Sequence, residues 1–287
     1  CDSFSRLIFT FEIPIGIVTS LFGIPMFIIV LRRAKRSFLM RENLIEVRNL
    51  RFAYRDKPVL KGISFDVATG DTLSILGANG SGKSTLLRIM LGFLKFEGEV
   101  LIGGKSVRGY GKKGLASLVA YVPQTHAPSY DYSVFDVALM GALCRTPLFS
   151  SFSAADKKLA EQALEKMGIA HLKNAPYTKV SGGERQLAYI ARTLVQGAKV
   201  IFMDEPTNGL DFGNQIRLLE MIKALGDEGY TFVQTTHYPR HAKFVSNLTL
   251  FIKGGEILAF GESEKLINAE NIDKIYGINY ERYEDRL

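Results

Sequence analysis

The chain has 287 residues and a mass of 31.9 kDa, and its 47% hydrophobic and 23% charged residues supply a packed core, which excludes a disordered chain, while the lack of a glycine triplet period excludes collagen. A net charge of +7 and a pI of about 9.3 suit a nucleotide, a nucleic acid or an anionic membrane surface without choosing among them. Two cysteines, Cys1 and Cys144, build no disulfide framework, and with four scattered histidines a zinc ligand set is not expected.

The mean hydropathy of +0.07 is high for a soluble domain, and the excess is local. Ile13–Leu31 holds nineteen residues without a charge, twelve of them Ile, Leu, Val or Phe. As a helix it would span about 28 Å, near the roughly 30 Å of a bilayer's hydrocarbon core. Those twelve favour insertion by roughly 4–7 kcal/mol; Pro14, Gly16, Thr19, Ser20, Gly23 and Pro25 erode the margin. Arg32, Arg33, Lys35 and Arg36 follow directly, and such a basic cluster predicts that the C-terminal side of the span is cytoplasmic. A signal peptide would carry its basic residues before a shorter apolar run. A buried core helix and a lipidated Cys1 are the other readings of the segment. A chain without an initiating Met is expected to start elsewhere than its gene does.

After Met40 strands and helices alternate. Leu44–Phe52 and Gly62–Val67 read as strands around a turn at Arg55-Asp56-Lys57-Pro58. Thr72–Leu76 is a short apolar strand that runs into a glycine loop, and a helical pattern follows through Leu94. Leu118–Val122, Lys199–Met203 and Thr231–Thr235 are further apolar runs of the kind buried in a parallel sheet. Val134 to Gln196 reads mostly helical: Ser153 with Asp156 resembles a capping box, and Leu159, Ala163 and Met167 line one face before Gly168. Leu248–Ile252 and Glu256–Ala259 flank Lys253-Gly254-Gly255, a hairpin signal. The fold class expected is α/β with a helical insertion.

Three motifs carry the chemistry. Gly77-Ala78-Asn79-Gly80-Ser81-Gly82-Lys83-Ser84-Thr85 satisfies G-x-x-x-x-G-K-[ST] between a predicted strand and a predicted helix. Its glycines let successive backbone N–H groups turn toward phosphate oxygens, and the following helix adds its positive end. Lys83 is expected to reach the β- and γ-phosphates, and the Ser84 hydroxyl to ligate Mg²⁺. Lys199-Val200-Ile201-Phe202-Met203-Asp204-Glu205 is an apolar strand with acids at its C-terminal end, where open α/β sheets bind ligands. Asp204 would hold Mg²⁺ and Glu205 would polarise the attacking water. Val180-Ser181-Gly182-Gly183-Glu184 opens an amphipathic helix in which Leu187, Ile190, Ala191, Leu194 and Val195 share a face. A Ser and two glycines there make a second anion site, about a hundred residues from the phosphate loop. One phosphate loop with two anion sites invites a model in which each nucleotide is gripped by two subunits.

With these motifs in order, residues 42–262 resemble the ATP-binding-cassette (ABC) family. The resemblance implies a P-loop NTPase (RecA-like) core with an antiparallel β subdomain and a helical subdomain at about 126–189, binding ATP and Mg²⁺. It implies that Gln124 is the glutamine that senses Mg²⁺ and the γ-phosphate and links to a transmembrane partner. It implies also that Asp211 crosses a dimer interface, that His237 contacts the γ-phosphate and that Tyr54 stacks on adenine. Val180 stands where the family usually has leucine and Glu184 where it has glutamine, and Gly103–Gly114 is richer in glycine and lysine than the family pattern.

Residues 1–39, through Asp2, Arg6, Glu12-Ile13-Pro14-Ile15-Gly16, Thr19, Gly23-Ile24-Pro25 and Phe27, resemble the last transmembrane span and tail of permeases that import iron chelates, haem and cobalamin. Asp211-Phe212-Gly213-Asn214-Gln215 and the ending Gly261–Tyr276, within a C-terminal extension at 263–287, resemble the ATPases that serve those permeases. The expected partners are a second ATPase subunit in a homodimer of cassettes, a transmembrane permease and an extracellular or periplasmic substrate-binding protein, at the cytoplasmic membrane with the ATPase domain on the cytoplasmic face. A natural fusion of permease and ATPase and a join made during sequence assembly would look the same. A soluble cassette ATPase acting on nucleic acid would need a coiled-coil insertion or a second cassette, neither of which is present, and no nucleic-acid partner is expected. An exporter subunit, the third reading, would place several spans upstream.

Overall fold

The computed structural model describes residues 43–124, 131–147 and 150–278. Residues 1–39, with the apolar run Ile13–Leu31, lie outside them, as do residues 126–130 and 148–149 of the expected helical subdomain and 279–287 of the expected C-terminal extension. Among the described residues no helix is long and apolar enough to cross a membrane.

Two sheets organise residues from Asn43 onward. The first is antiparallel and joins β1 (Asn43–Tyr54), β2 (Lys57–Ala68), β4 (Glu97–Ile102) and β5 (Lys105–Ser106) in the order β2-β1-β4-β5. The turn between β1 and β2 is tighter than the sequence suggests: Lys57 and Pro58 already pair with Tyr54 and Ala53, which leaves Arg55 and Asp56 to reverse the chain. Strand β4 gives no pattern of its own in the sequence, because Glu97, Gly98 and Glu99 are exposed and only Val100 and Ile102 reach the core. The glycine-rich stretch after it resolves into the Gly103–Gly104 turn, β5, a short 3-10 turn at Val107–Gly109 and helix α2 (Lys112–Leu118).

The second sheet has six strands in the order β10-β9-β3-β8-β7-β6: β3 (Thr72–Leu76), β6 (Val119–Val122), β7 (Val200–Asp204), β8 (Thr231–Thr236), β9 (Leu248–Lys253) and β10 (Glu256–Glu262). Five run parallel, and β10 returns antiparallel on β9. Every residue of β3, β7 and β8 is buried. Burial on both faces is why these strands read as continuous apolar runs rather than alternations. Along β7, Ile201 and Met203 face one apolar cluster, with Leu218, Leu219, Ile222 and Leu225 of α6 (Phe212–Asp227). Val200 and Phe202 face the other, with Leu86 and Leu87 of α1 (Lys83–Met90) and the inner face of the first sheet. The two sheets are also tied by the backbone, where Lys61 N–H donates to Gly255 C=O at 2.9 Å.

The helical insertion comprises α3 (Val134–Leu139), α4 (Ala154–Lys166) and α5 (Gly182–Gln196). Ser153 and Asp156 do form a capping box at the start of α4. The buried stripe of α4, however, runs through Ala160, Ala163, Leu164 and Met167, while Leu159 is exposed. The four follow i, i+3, i+4 and i+7, a spacing that Leu159 does not share. After β8 come α7 (Pro239–Val245), α8 (Ser263–Leu266) and α9 (Ala269–Tyr276). Ile267, Ile272 and Ile275 close a third apolar cluster with Leu76, Ala242 and Phe251. Residues 263–278 are therefore packed against the end of β3.

Phe202 is fully buried. Phe202→Ala should lower the unfolding free energy by about 3–5 kcal/mol, read from urea denaturation.

Candidate phosphate-binding site

The chain leaves β3 at Leu76 and turns through residues 77–82 into α1. Gly82 caps that helix at φ 108°, a left-handed conformation that disfavours any side chain, and a Cβ there would stand 2.8 Å from Leu60 Cδ2. Ser81 is 7% exposed, and its Oγ makes no hydrogen bond among the described residues. Lys83, the first residue of α1, is buried, and its Nζ donates to the carbonyls of Gly77 (2.7 Å) and Ala78 (3.2 Å). Burial pushes the pKa of its ammonium down, and the charges of Glu205 and Asp204 work against that shift. The loop thus closes on its own lysine, and the positive charge is held at the mouth of the sheet.

Strands β7 and β8 lie in parallel register with Asp204 beside Thr235. The Thr235 hydroxyl donates to Asp204 Oδ1 at 2.6 Å and accepts from the Glu205 N–H at 3.0 Å. Ser84 Oγ donates to the same Asp204 oxygen at 2.9 Å. Asp204 is 4% exposed, so these two hydroxyls replace the water that a carboxylate would otherwise require. Glu205 sits at φ 48°. A left-handed backbone at a residue that is neither Gly nor Asn costs about 1–2 kcal/mol. The turn aims the Glu205 carboxylate at three neighbours: Gln124 Nε2 donates to Oε2 at 2.8 Å, Asn208 Nδ2 donates to Oε2 at 3.4 Å, and His237 Nδ1 stands 3.6 Å from Oε1. The His237 Nδ1 is buried without a hydrogen bond among the described residues.

These groups surround one open cavity of about 610 Å³. Tyr54, Asn79, Gly80, Gly82, Lys83, Ser84, Thr85, Gln124, Glu205 and His237 all line it. Lys57, Val59 and Asn208, which no sequence motif singles out for a role, line it too, and Thr235, equally without one, orders the acids from beneath. Thr235 directly precedes the Thr236-His237 pair, but a threonine inside a buried strand gives no signal of its own. Tyr54 ends β1 at the rim, 44% exposed, with its ring edge-on to Phe52 at 4.7 Å.

Ser181, Gly182, Gly183 and Asp211 are not among the residues lining that cavity. They meet one another elsewhere on the same chain. Ser181 caps α5: its Oγ accepts from Glu184 N–H at 3.3 Å, and the Glu184 carboxylate accepts from Ser181 N–H at 2.7 Å. The Ser181 amide and hydroxyl hold the Glu184 pKa below the usual carboxylate range. Gly182 and Gly183 already belong to the helix. Gly183 is a glycine for contact rather than for flexibility, since a Cβ there would lie 2.6 Å from Asn214 Cγ. Asn214 in turn bonds Asp211, the exposed cap of α6, through its N–H (2.9 Å) and its Nδ2 (2.7 Å). Those bonds keep the Asp211 carboxyl below its ordinary pKa.

Residues 60–208 match the family described as ABC transporter. An uncharacterised ABC transporter ATP-binding protein from Haemophilus influenzae is 38% identical over 81% of this chain and 89% of that protein. A molybdate import ATP-binding protein of the same organism is 34% identical over 81% and 87%. Among solved structures, a chain described as belonging to a metal-chelate type ABC transporter in an inward-facing conformation is 32% identical with a TM-score of 0.75, over 83% of this chain and 90% of that one.

The strain at Glu205 generates a stability prediction. Glu205→Gly should raise the unfolding free energy by about 1 kcal/mol, seen as a shift in the urea midpoint at unchanged slope.

Proposed function

This chain belongs to the ABC transporter family as an ATP-binding domain of the ATP-hydrolysing kind, and from that premise we propose that it is the motor subunit of an importer for an iron(III)–siderophore or a related metal chelate such as haem or cobalamin. The observation that carries the hydrolytic part of this reading is the convergence of the phosphate loop, Gln124, Glu205 and His237 on one cavity, with Asp204 bonded to Ser84 beneath it.

In this reading Lys83 and the loop amides from Asn79 to Thr85, with Gly77 and Ser81 shaping the turn, neutralise the phosphates of ATP. Tyr54 offers its exposed face to the adenine. Glu205 orients a water in line with the γ-phosphate and accepts its proton, and Gln124 and Asn208 hold the carboxylate for that task. His237 donates to the γ-phosphate as charge shifts onto the leaving oxygen. The oxygen set of Ser84, Gln124 and Asp204 fits a hard divalent cation. Mg²⁺ there would supply charge neutralisation at the phosphates.

The separation of Ser181–Gly183 and Asp211 from this cavity supports a shared site. Two chains would face each other head to tail, with the α5 N-terminus of one completing the cavity of the other. ATP would then favour the closed pair by its differential affinity, and hydrolysis would release it. Gln124 would pass that closure to a permease. Residues 42–262 would form the ATPase domain, with 126–189 as its helical part and 263–287 as a C-terminal extension. Residues 1–39 would be the last span and tail of the permease, holding the ATPase domain on the cytoplasmic face of the membrane. The metal-chelate type of the solved relative and the resemblance of Asp211–Gln215 and Gly261–Tyr276 support the cargo, which an external binding protein would deliver.

Glu205→Gln should retain ATP binding and lower turnover at least about a hundredfold, and Lys83→Ala should abolish binding. Mixing Lys83→Ala chains with Ser181→Arg chains should restore about one quarter of wild-type turnover, because half the dimers then contain one intact site. A mixture that stays inactive would refute sharing. For the cargo, uptake into vesicles of ⁵⁵Fe-siderophore should depend on ATP and on Glu205; ATP-driven uptake of molybdate with none of the siderophore would reassign it.

A further inference from the structure

The C-terminal helix reaches the nucleotide cavity from behind. Tyr276, the last residue of α9, donates its hydroxyl hydrogen to the His237 carbonyl at 3.3 Å. The helix that carries it also packs on Leu76, the residue before Gly77 and the phosphate loop. Burial raises the Tyr276 pKa to about 12 against the opposing effect of the nearby Gly77 backbone, so the hydroxyl is a donor at every working pH. The ring packs on the third apolar cluster, in which Ile272 and Ile275 of α9 meet Leu76, the residue before Gly77, and Ala242 of α7, the helix that follows His237. Helix α9 therefore links two loops more than 150 residues apart in sequence, the His237 carbonyl through the Tyr276 hydroxyl and the start of the phosphate loop through apolar packing on Leu76.

We propose that Tyr276 is a positioning residue for ATP hydrolysis, which through its hydroxyl fixes the backbone of His237 against the start of the phosphate loop and makes the C-terminal helix part of the catalytic frame. His237 shows why such a restraint matters. Its Nδ1 is buried with no hydrogen bond among the described residues and stands 3.6 Å from Glu205, and its ring lies 4.1 Å from that of Tyr238, its neighbour in the chain, so the height of the ring over the cavity follows the backbone that carries both. That backbone leaves the sheet one residue earlier, at the end of β8, and the ladder no longer holds it. The Tyr276 bond to the His237 carbonyl takes over where the ladder stops. Held there, the imidazole keeps its distance to the γ-phosphate position, a distance on which rate depends steeply. The inference rests on the role given to His237 above.

The test uses the full chain in detergent micelles. Steady-state ATP turnover, binding of a fluorescent N-methylanthraniloyl ATP and thermal unfolding are measured for wild type, Tyr276→Phe, His237→Ala and the double variant. Tyr276→Phe keeps the ring and removes the hydroxyl. It should lower kcat about three- to tenfold, leave KM and the nucleotide Kd within about twofold, and shift Tm by less than about 2 °C. In the His237→Ala background it should add nothing. A wild-type kcat in Tyr276→Phe overturns the proposal. So does a loss of kcat that tracks a fall in Tm, which makes the tyrosine a mere prop, and so does an equal loss in the two backgrounds. If His237→Ala itself turns over normally, the histidine assignment falls; if it is crippled while Tyr276→Phe is silent, only the tyrosine's role falls.

Discussion

Asp204 and Glu205 stand side by side at the end of a buried strand, and the Thr235 hydroxyl lies between them, donating a hydrogen bond to the carboxylate of the first and accepting one from the amide of the second. Adjacent acids repel each other, and Asp204 is buried, a loss of hydration that is costly unless a dipole replaces the water. The parallel register of β7 and β8 supplies that dipole by bringing Thr235 level with Asp204. The chain must then leave the sheet at once, and Glu205 takes a left-handed backbone to do so. The strain is tolerated because both of its neighbours are fixed: Asp204 by two hydroxyls and the Glu205 amide by Thr235. A strained turn held this firmly presents one carboxylate to solvent in one orientation, which is the condition for orienting a water rather than merely attracting one.

The rest of the molecule builds around that strand end. The apolar faces of β7 distribute the core, with Ile201 and Met203 toward α6 and Phe202 toward α1. Helix α1 therefore begins beside the acids, and Ser84 reaches Asp204. Lys83 enters within the field of the same acids, which favour its charge while burial disfavours it. The cavity combines fixed positive charge, loop amides and one aimed carboxylate, which together suit phosphoryl transfer to water.

Two further groupings lie away from the cavity. The Ser181–Gly183 cap and the Asp211 loop are locked together through Asn214, which needs a glycine at 183 to approach. They form one rigid surface, and a rigid surface bearing a helix N-terminus can complete a phosphate site on another molecule. The C-terminal helix is the second grouping. It adds an apolar seal below the phosphate loop, so the loop is supported on both its β3 and its α9 sides.

Much of this was legible in the order of residues. The phosphate loop, the strand ending in Asp204-Glu205 and the capped helix at Ser181 each obey a local rule, because their chemistry depends on backbone spacing within a few residues. The α/β alternation was legible for the same reason, as short apolar runs separated by amphipathic ones. What stayed hidden depends on pairs distant in sequence. Strand β4 shows only two core-facing side chains and is a strand because β1 pairs with it. Leu159 carries an apolar side chain outward because the packing of α4 favours the stripe through Ala160 and Leu164. Thr235 is an ordinary strand residue until β7 lies beside it, and Tyr276 is an ordinary terminal tyrosine until α9 folds against Leu76. By itself the order of residues determined which groups stand in the loop after β3, at the end of β7 and at the cap of α5. The tertiary structure alone decided their mutual distances, because hydrogen bonds such as Thr235 to Asp204 and Tyr276 to His237 exist only once strands and helices far apart along the chain have been brought into register.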